Sequence, residues 1–179
     1  MKRALVIVAL MSARVEAQPQ GTIYVSLPSI DGRTGVEVGA ERFLLARRLG
    51  VVATLGMRHT ATADYSGVAV GAGIEARWYW RGRELWTDLP AGAMVGWFLA
   101  GRGDLALAHT YDRADDRSLG TALVLGASGA IGYRLVPWRG LAITGKVSLG
   151  LRNGHDLRGR LPPWTMGELG VGLEVGWMF

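Results

Sequence analysis

The chain has 179 residues, of which 49% are hydrophobic and 20% are charged, and this balance suits one folded domain and excludes a disordered acidic chain. Its 27 glycines, about twice the usual share, follow no collagen period, and the absence of cysteine excludes disulfides, thiolate metal sites and cysteine nucleophiles. The formal net charge is +5, but the basic residues are scattered, so we expect no nucleic-acid partner.

The first 17 residues have the pattern of a signal peptide. Met1 to Arg3 is cationic, Ala4 to Met11 is apolar, and Val15 and Ala17 supply small residues at the minus-three and minus-one positions of a cleavage site. The alternative is a short buried strand or helix at the amino terminus. We therefore predict an exported protein with a signal peptide over residues 1–17 and one domain over residues 18–179.

The rest of the chain alternates with a period of two, which predicts strands with one apolar face. From Val68 to Trp80, for example, Val, Ala, Ile and Trp occupy one parity, while mainly Gly, Glu and Arg occupy the other. Turn signals divide the chain into eight such segments. They are Gly21 to Leu27, Gly35 to Leu45, Leu49 to His59, Gly67 to Trp80, Ala91 to Ala100, Ser118 to Leu135, Gly140 to Leu151 and Trp164 to Phe179.

The predicted connections alternate between compact and longer, more polar ones. The compact ones are 46–48, 81–90 and 136–139, and the longer ones are 29–34, 60–66, 101–117 and 152–163. An even number of strands with short turns at one end and long loops at the other is typical of bacterial outer-membrane barrels. The fold prediction is therefore all-β, an eight-stranded antiparallel up-and-down transmembrane β-barrel.

The strands of a soluble eight-stranded barrel also alternate between apolar and polar residues. The two kinds of barrel differ in which of these sets faces outward. Rows of glycine are poor residues for a solvent-facing strand, because they lose entropy and pack against nothing. On the inner face of a narrow barrel they leave room for larger charged side chains. Tryptophan and tyrosine also gather near the ends of the segments, as they do at membrane interfaces. The sequence thus favours a membrane barrel with its apolar parity facing lipid.

These features resemble the small outer-membrane barrels typified by OmpX, the OmpA membrane domain and OmpW. The resemblance rests on the signal peptide, the eight alternating strands and the terminal Val175-Gly-Trp-Met-Phe179. It implies the outer membrane of a Gram-negative bacterium, contact with its lipid and lipopolysaccharide, and recognition of the last strand by the barrel-assembly machinery. The residues implied for that signal lie on the lipid-facing parity: Leu173, Val175, Trp177 and Phe179.

The inward parity carries opposite charges in near balance. Its acidic residues are Glu37, Glu41, Glu75, Glu168 and Glu174, and its basic residues are Arg58, Arg77, Arg134 and Lys146. Unpaired charge in a narrow lumen is costly, so these side chains should pair. Counting from the short-turn end puts Glu174 beside Lys146 and Glu37 beside Arg58, and puts Glu75, Arg77 and Glu41 in a third group. This predicts a lumen closed by an ionic network.

The sequence provides no strong sign of catalysis or of a bound metal. His59 and His155 are followed by Thr-Ala and Asp-Leu, which departs from the His and nearby Ser of lipid A deacylase barrels. We therefore expect no enzyme, no cofactor and no metal site. The predicted function is structural, or a surface interaction through the long loops, with Gly101 to Arg117 as the expected contact segment. A small passive channel and a lipid A-modifying enzyme remain as alternatives.

Overall fold

A computed structural model describes residues 21–30, 33–44, 49–61, 65–81, 95–112, 117–138, 140–159 and 162–179. These residues form eight strands and no helix, so no helix here is long and apolar enough to cross a membrane. The strands are β1 (Gly21–Ile30), β2 (Arg33–Leu44), β3 (Leu49–Ala61), β4 (Tyr65–Arg81), β5 (Gly96–Asp112), β6 (Arg117–Trp138), β7 (Leu141–Asp156) and β8 (Trp164–Met178). The predicted signal peptide lies outside the described residues.

The eight strands close into one barrel in chain order, and each is antiparallel to its neighbours. The seam lies between the first and last strands, where Val25 pairs with Val175. Phe179 extends this seam, because its backbone exchanges hydrogen bonds of 3.2 and 3.1 Å with the backbone of Gly21. The predicted fold class is confirmed. We call the end that holds Gly21 and Phe179 the floor end, and the opposite end the mouth end.

The alternation in the sequence becomes an inside and an outside. Along β8, Leu169, Val171 and Leu173 are exposed on the exterior, whereas Gly172 and Glu174 are buried in the lumen. The same holds around the barrel, where Leu55 and Leu149 of other strands are 70% and 69% exposed. A soluble barrel has the reverse arrangement. An apolar exterior on a closed barrel, with every strand paired, is the surface that a lipid bilayer requires.

Aromatic side chains mark both ends of this exterior. Trp78, Trp97 and Trp177 are half-exposed near the floor end, and the rings of Trp97 and Tyr133 meet edge to face with centroids 5.2 Å apart. At the mouth end, Tyr111 is 45% exposed. Amphipathic rings of this kind favour the headgroup regions of a bilayer, so the apolar band has an aromatic border on each side.

The prediction that Gly101 to Arg117 is a long loop is wrong. Strand β5 continues through Asp112, and β6 begins at Arg117, which leaves only residues 113–116 between them. The charges in this segment suggested a solvated loop, but Arg102 and Asp104 point into the lumen and pair there. Strand β7 likewise continues to Asp156, into the predicted loop 152–163.

The expected contrast of short turns and long loops therefore does not hold. The interval between β4 and β5, residues 82–95, lies at the floor end and is longer than residues 113–116 at the mouth end. Long strands replace long loops, since β6 has 22 residues and β4 and β5 have 17 each, against roughly 9–11 needed to cross a bilayer. The mouth-end wall is built mainly from β-sheet.

Candidate functional site

Apolar side chains fill the lumen at the floor end. We call this cluster the apolar floor, and its members are Phe43, Tyr79, Val95, Phe98, Val136, Ala142 and Met178. Phe98 is fully buried, and its ring lies so close to Gly132 of the neighbouring strand that an added side-chain carbon there would clash. The rings of Tyr79 and Phe98 pack with centroids 5.3 Å apart. The sequence did not reveal this floor, although all of its members except Val95, which precedes β5, share the inward parity of their strands.

Above the floor lies the lower ionic tier, formed by Glu41, Glu75, Arg77, Arg134, Lys146 and Glu174. Its centre is Arg77, whose guanidinium is fully buried and donates two hydrogen bonds to Glu174, 2.8 and 2.6 Å long. Arg77 also pairs with Glu75, and it lies 3.7 Å from Glu41. A bidentate arginine–carboxylate contact of this kind is both strong and geometrically specific.

Two further cations complete the lower ionic tier. Lys146 bridges Glu75 and Glu174 at 2.7 and 2.8 Å. Arg134 pairs with Glu41 and donates to the Thr144 hydroxyl at 3.1 Å. The structure thus brings Glu174 and Lys146 together as expected, and it joins them to the group of Glu75, Arg77 and Glu41 instead of leaving the two apart.

Aromatic rings connect this tier to the apolar floor. The guanidinium carbon of Arg77 lies 5.2 Å from the centre of the Phe98 ring, and that of Arg134 lies 5.4 Å from the Tyr79 ring. The Tyr79 hydroxyl donates a 2.9 Å hydrogen bond to Glu41. Cation–π contacts gain strength where water is excluded, so the floor and the tier pack directly against each other.

The upper ionic tier lies nearer the mouth and contains Glu37, Arg58, Arg102, Asp104, Arg152 and Glu168. Glu37 accepts a 2.7 Å hydrogen bond from Arg58 and bonds of 2.8 and 3.0 Å from Arg102. Arg102 also donates to Asp104 at 2.7 Å. On the other side of the lumen, Nε of Arg152 lies 2.5 Å from Glu168. The expected pairing of Glu37 with Arg58 is present, and Arg102 strengthens it.

All nine lumen residues singled out from the sequence point inward and take part in ion pairs, but three members of the network were missed. They are Arg102, Asp104 and Arg152, which lay in segments predicted as loops. Their parity was the available signal, because it continues that of the strands they belong to. With them, the two tiers together contain six basic and six acidic side chains, so the formal charges of these twelve residues balance.

The free space in the lumen is divided into unequal parts. Two small cavities of about 20 and 30 Å³ lie around the upper ionic tier, each large enough for one or two water molecules. Beyond this tier a cavity of about 290 Å³ opens toward the mouth end, which we call the mouth cavity. Its walls carry alanine and glycine where the lower lumen carries charged side chains, which is why it is open.

The four residues of the predicted assembly signal all face outward on β8 and its end. Leu173, Val175, Trp177 and Phe179 are each about half exposed. They form one continuous apolar edge beside the seam with β1, and no lumen contact uses them.

The histidines do not form the arrangement of a histidine and a nearby serine that is found in lipid A deacylase barrels. His59 faces outward while the neighbouring Thr60 lines the mouth cavity, so their side chains lie on opposite faces of the barrel. His109 contacts two hydroxyls on the exterior at the mouth end, with Nδ1 2.8 Å from Thr121 and Nε2 3.3 Å from Ser118. Within the described residues, no group of three or more potential metal ligands occurs.

Solved structures of bacterial outer-membrane barrels are similar to this chain. The N-terminal β-barrel domain of Pseudomonas aeruginosa OprF matches 91% of this chain and all of that chain, with 14% identity and a TM-score of 0.52. OprG of Pseudomonas aeruginosa matches 92% and 99%, with 8% identity and a TM-score of 0.47. Neisserial surface protein A matches 87% and 93%, with 11% identity and a TM-score of 0.45. No protein-family model and no curated protein matches the sequence.

The class of the protein follows from these observations. The likeness to the OprF domain shows a shared fold, and the apolar exterior with its aromatic borders supplies the lipid-facing surface. The chain is an eight-stranded β-barrel with a lipid-facing exterior, and it shares the fold of that outer-membrane domain. Its particular role has to be argued from the lumen and the rims.

Proposed function

We propose that the protein is a structural component of the outer membrane, a barrel that spans the bilayer without conducting. The observation that carries this proposal is the two-layered filling of the lumen, with the apolar floor beneath the charged lower ionic tier. An ion crossing the barrel would have to separate buried pairs around Arg77 and then pass between Phe98 and its neighbours. The first step leaves buried charges without partners, and the second takes an ion through an apolar layer. Both steps are therefore costly in free energy.

The partners proposed for this barrel are those that its outer surfaces can meet. Lipid acyl chains contact the apolar band, and lipopolysaccharide contacts the aromatic border and the charged residues at the mouth end. The barrel-assembly machinery is the proposed partner of Leu173 to Phe179 during insertion. Because Gly101 to Asp112 is a strand, any extracellular partner would have to bind the mouth-end rim.

Ion current through planar lipid bilayers tests the closed lumen. We expect the wild-type barrel to give no current steps above a detergent blank, with incorporation verified by the slower gel migration of the boiled protein. Lys146→Ala alone should stay silent, because Arg77 still pairs Glu75 and Glu174 and the apolar floor is intact. The double variant Lys146→Ala with Phe98→Ala should leak. Steady wild-type current would overturn the proposal in favour of a channel.

A second candidate function, hydrolysis of a lipid ester, is favoured by one contact. With Nδ1 protonated and donating to Thr121, the Nε2 atom of His109 can accept the proton of Ser118, which is the relation of a nucleophile to its general base. Ser118 would attack the ester carbonyl, and His109 would pass the proton to the departing alcohol. Water would then release the acid and restore the serine.

Lipid A analysis separates this candidate from the structural role. Expression of the protein in a Gram-negative host should change the mass of lipid A by one acyl chain if the contact is catalytic, and Ser118→Ala should abolish the change. Thr165→Ala, which removes another exposed hydroxyl at the mouth end, serves as the control. An unchanged lipid A profile removes the enzyme and leaves the structural role standing.

A further inference from the structure

The mouth cavity is a blind space whose floor is cationic and whose walls are apolar. Ala69, Ala106 and Ala108 line one side, and their small side chains set its width. The indole of Trp164 lies at the rim, where the absence of a side chain at Gly154 lets the ring approach the neighbouring strand. A concave, mostly apolar space with a few convergent polar groups is the usual form of a small-molecule site.

The floor of the mouth cavity is formed by two arginines with donors to spare. Arg58 uses one nitrogen, Nη2, for its contact with Glu37. Arg152 is only 6% exposed, and its Nε atom lies 2.5 Å from Glu168. Among the described residues, its Nη2 atom is buried and has no hydrogen-bond partner. A guanidinium has five N–H donors in a planar fork, so both side chains retain capacity for another acceptor.

An unpaired buried donor is costly, and its presence beside an open cavity favours an acceptor bound in that cavity. Glu37 of the same tier is already shared by Arg58 and Arg102. The two hydroxyls of Thr60 and Thr110 also line the cavity and can donate to the same ligand. The two guanidinium groups favour a negatively charged ligand, to which the hydroxyls can also donate.

We propose that the mouth cavity binds a small organic anion, with a carboxylate or phosphate group held by Arg152 and Arg58 and an apolar body lying between the alanine wall and Trp164. Planar, bidentate recognition of such oxyanions is the typical role of arginine. The cavity volume of about 290 Å³ is smaller than most drug-binding pockets. The ligand should therefore be about the size of a single substituted ring. This site goes beyond the closed-barrel role, since a blind cavity binds without conducting.

Equilibrium dialysis of the refolded barrel in detergent micelles tests the site with defined probes. Benzoate and phenyl phosphate represent the two oxyanions, benzamide is the neutral match, and inorganic phosphate is the anion without an apolar body. We expect saturable binding of at least one of the two aromatic anions, at least tenfold tighter than benzamide and tighter than inorganic phosphate. Comparing benzoate with phenyl phosphate identifies which oxyanion the arginines prefer.

The variant that removes the site replaces both members of one ion pair. Arg152→Gln with Glu168→Gln leaves no lone buried charge, and it should weaken binding of the preferred probe at least tenfold. Arg158→Gln is the matched control, because Arg158 is exposed at the same end and lies outside the cavity lining; its effect should stay within twofold. Folding of each variant is verified by its heat-dependent gel shift.

Any of three results with the probes or the double variant would overturn the proposal. They are the absence of saturable binding of either aromatic anion, equal binding of benzamide, and a double variant that binds as well as the wild type. Equal loss in Arg158→Gln would also overturn it, by showing that surface charge attracts the probes. A conducting wild-type barrel would contradict the closed lumen alone, so the two failures are distinguishable.

Discussion

Arg77 is the residue on which most of the lumen depends. It is fully buried, and it contacts three carboxylates from three different strands, Glu41, Glu75 and Glu174. We expect Arg77→Gln to lower the free energy of unfolding by about 3–5 kcal/mol, because these carboxylates lose a shared buried cation. Denaturant unfolding in phospholipid vesicles, followed by tryptophan fluorescence, measures the change.

Arg58→Gln is the matched comparison for this residue. Arg58 is more exposed, and its partner Glu37 keeps two hydrogen bonds from Arg102. Its replacement should cost on the order of 1 kcal/mol, since a hydrogen bond is lost without leaving a buried charge alone. If both substitutions cost the same, Arg77 is not the centre of the network.

At the scale of the strand, the alternation of residues was enough to predict which side chains face lipid and which face the lumen. It was not enough to predict where each strand ends. The lipid-facing and lumen-facing residues of β4, β6, β7 and β8 followed from parity, because the pleat gives every second residue the same environment. The end of β5 did not follow, since Arg102 and Asp104 look like solvated loop residues until a partner such as Glu37 from a distant strand is known. Parity is local, whereas ion pairing across the lumen is not.

The depth of a strand residue in the membrane gives a prediction for the exterior. Leu149 lies in the middle of β7 and Leu157 just past its end, and they are 69% and 59% exposed. Leu149→Arg should destabilise the barrel by about 2–4 kcal/mol and Leu157→Arg by about 0–1 kcal/mol, because the cost of a charge falls from the bilayer midplane to the interface. Unfolding in vesicles compares the two substitutions. Equal costs would contradict the placement of Leu149 deep in the bilayer and of Leu157 near its interface.

The end of β8 can be tested for its role in assembly separately from its role in stability. Deletion of Phe179 removes two backbone hydrogen bonds at the seam and one residue of the proposed signal. We expect the amount of folded barrel in cells to fall severalfold, while refolding into detergent micelles in vitro still succeeds. Leu149→Ala, an exterior truncation away from the seam, is the control for both measurements.

If refolding in vitro falls as much as the amount of folded barrel in cells, Phe179 has a structural role only. An unchanged level in cells would remove it from the assembly signal.

For the whole molecule, the closed barrel predicts cooperative behaviour in detergent and in the membrane. Closure depends on β1 and β8 meeting from opposite ends of the chain, so partial structures leave unpaired edges that are costly in lipid. The protein should remain in the membrane fraction after an alkaline wash and migrate faster on gels when unheated. A protein released by the wash and indifferent to heating would contradict a transmembrane barrel.

The neutrality of the lumen network has a consequence for the response to voltage. Moving one elementary charge through 100 mV involves about 2.3 kcal/mol, but the six cations and six anions of the ion pairs are pulled in opposite directions with equal total force. The formal charge of +5 therefore belongs to residues outside this network. A neutral network that moves as one body carries no net gating charge, so we expect the proposed non-conducting state to be independent of the potential across the membrane.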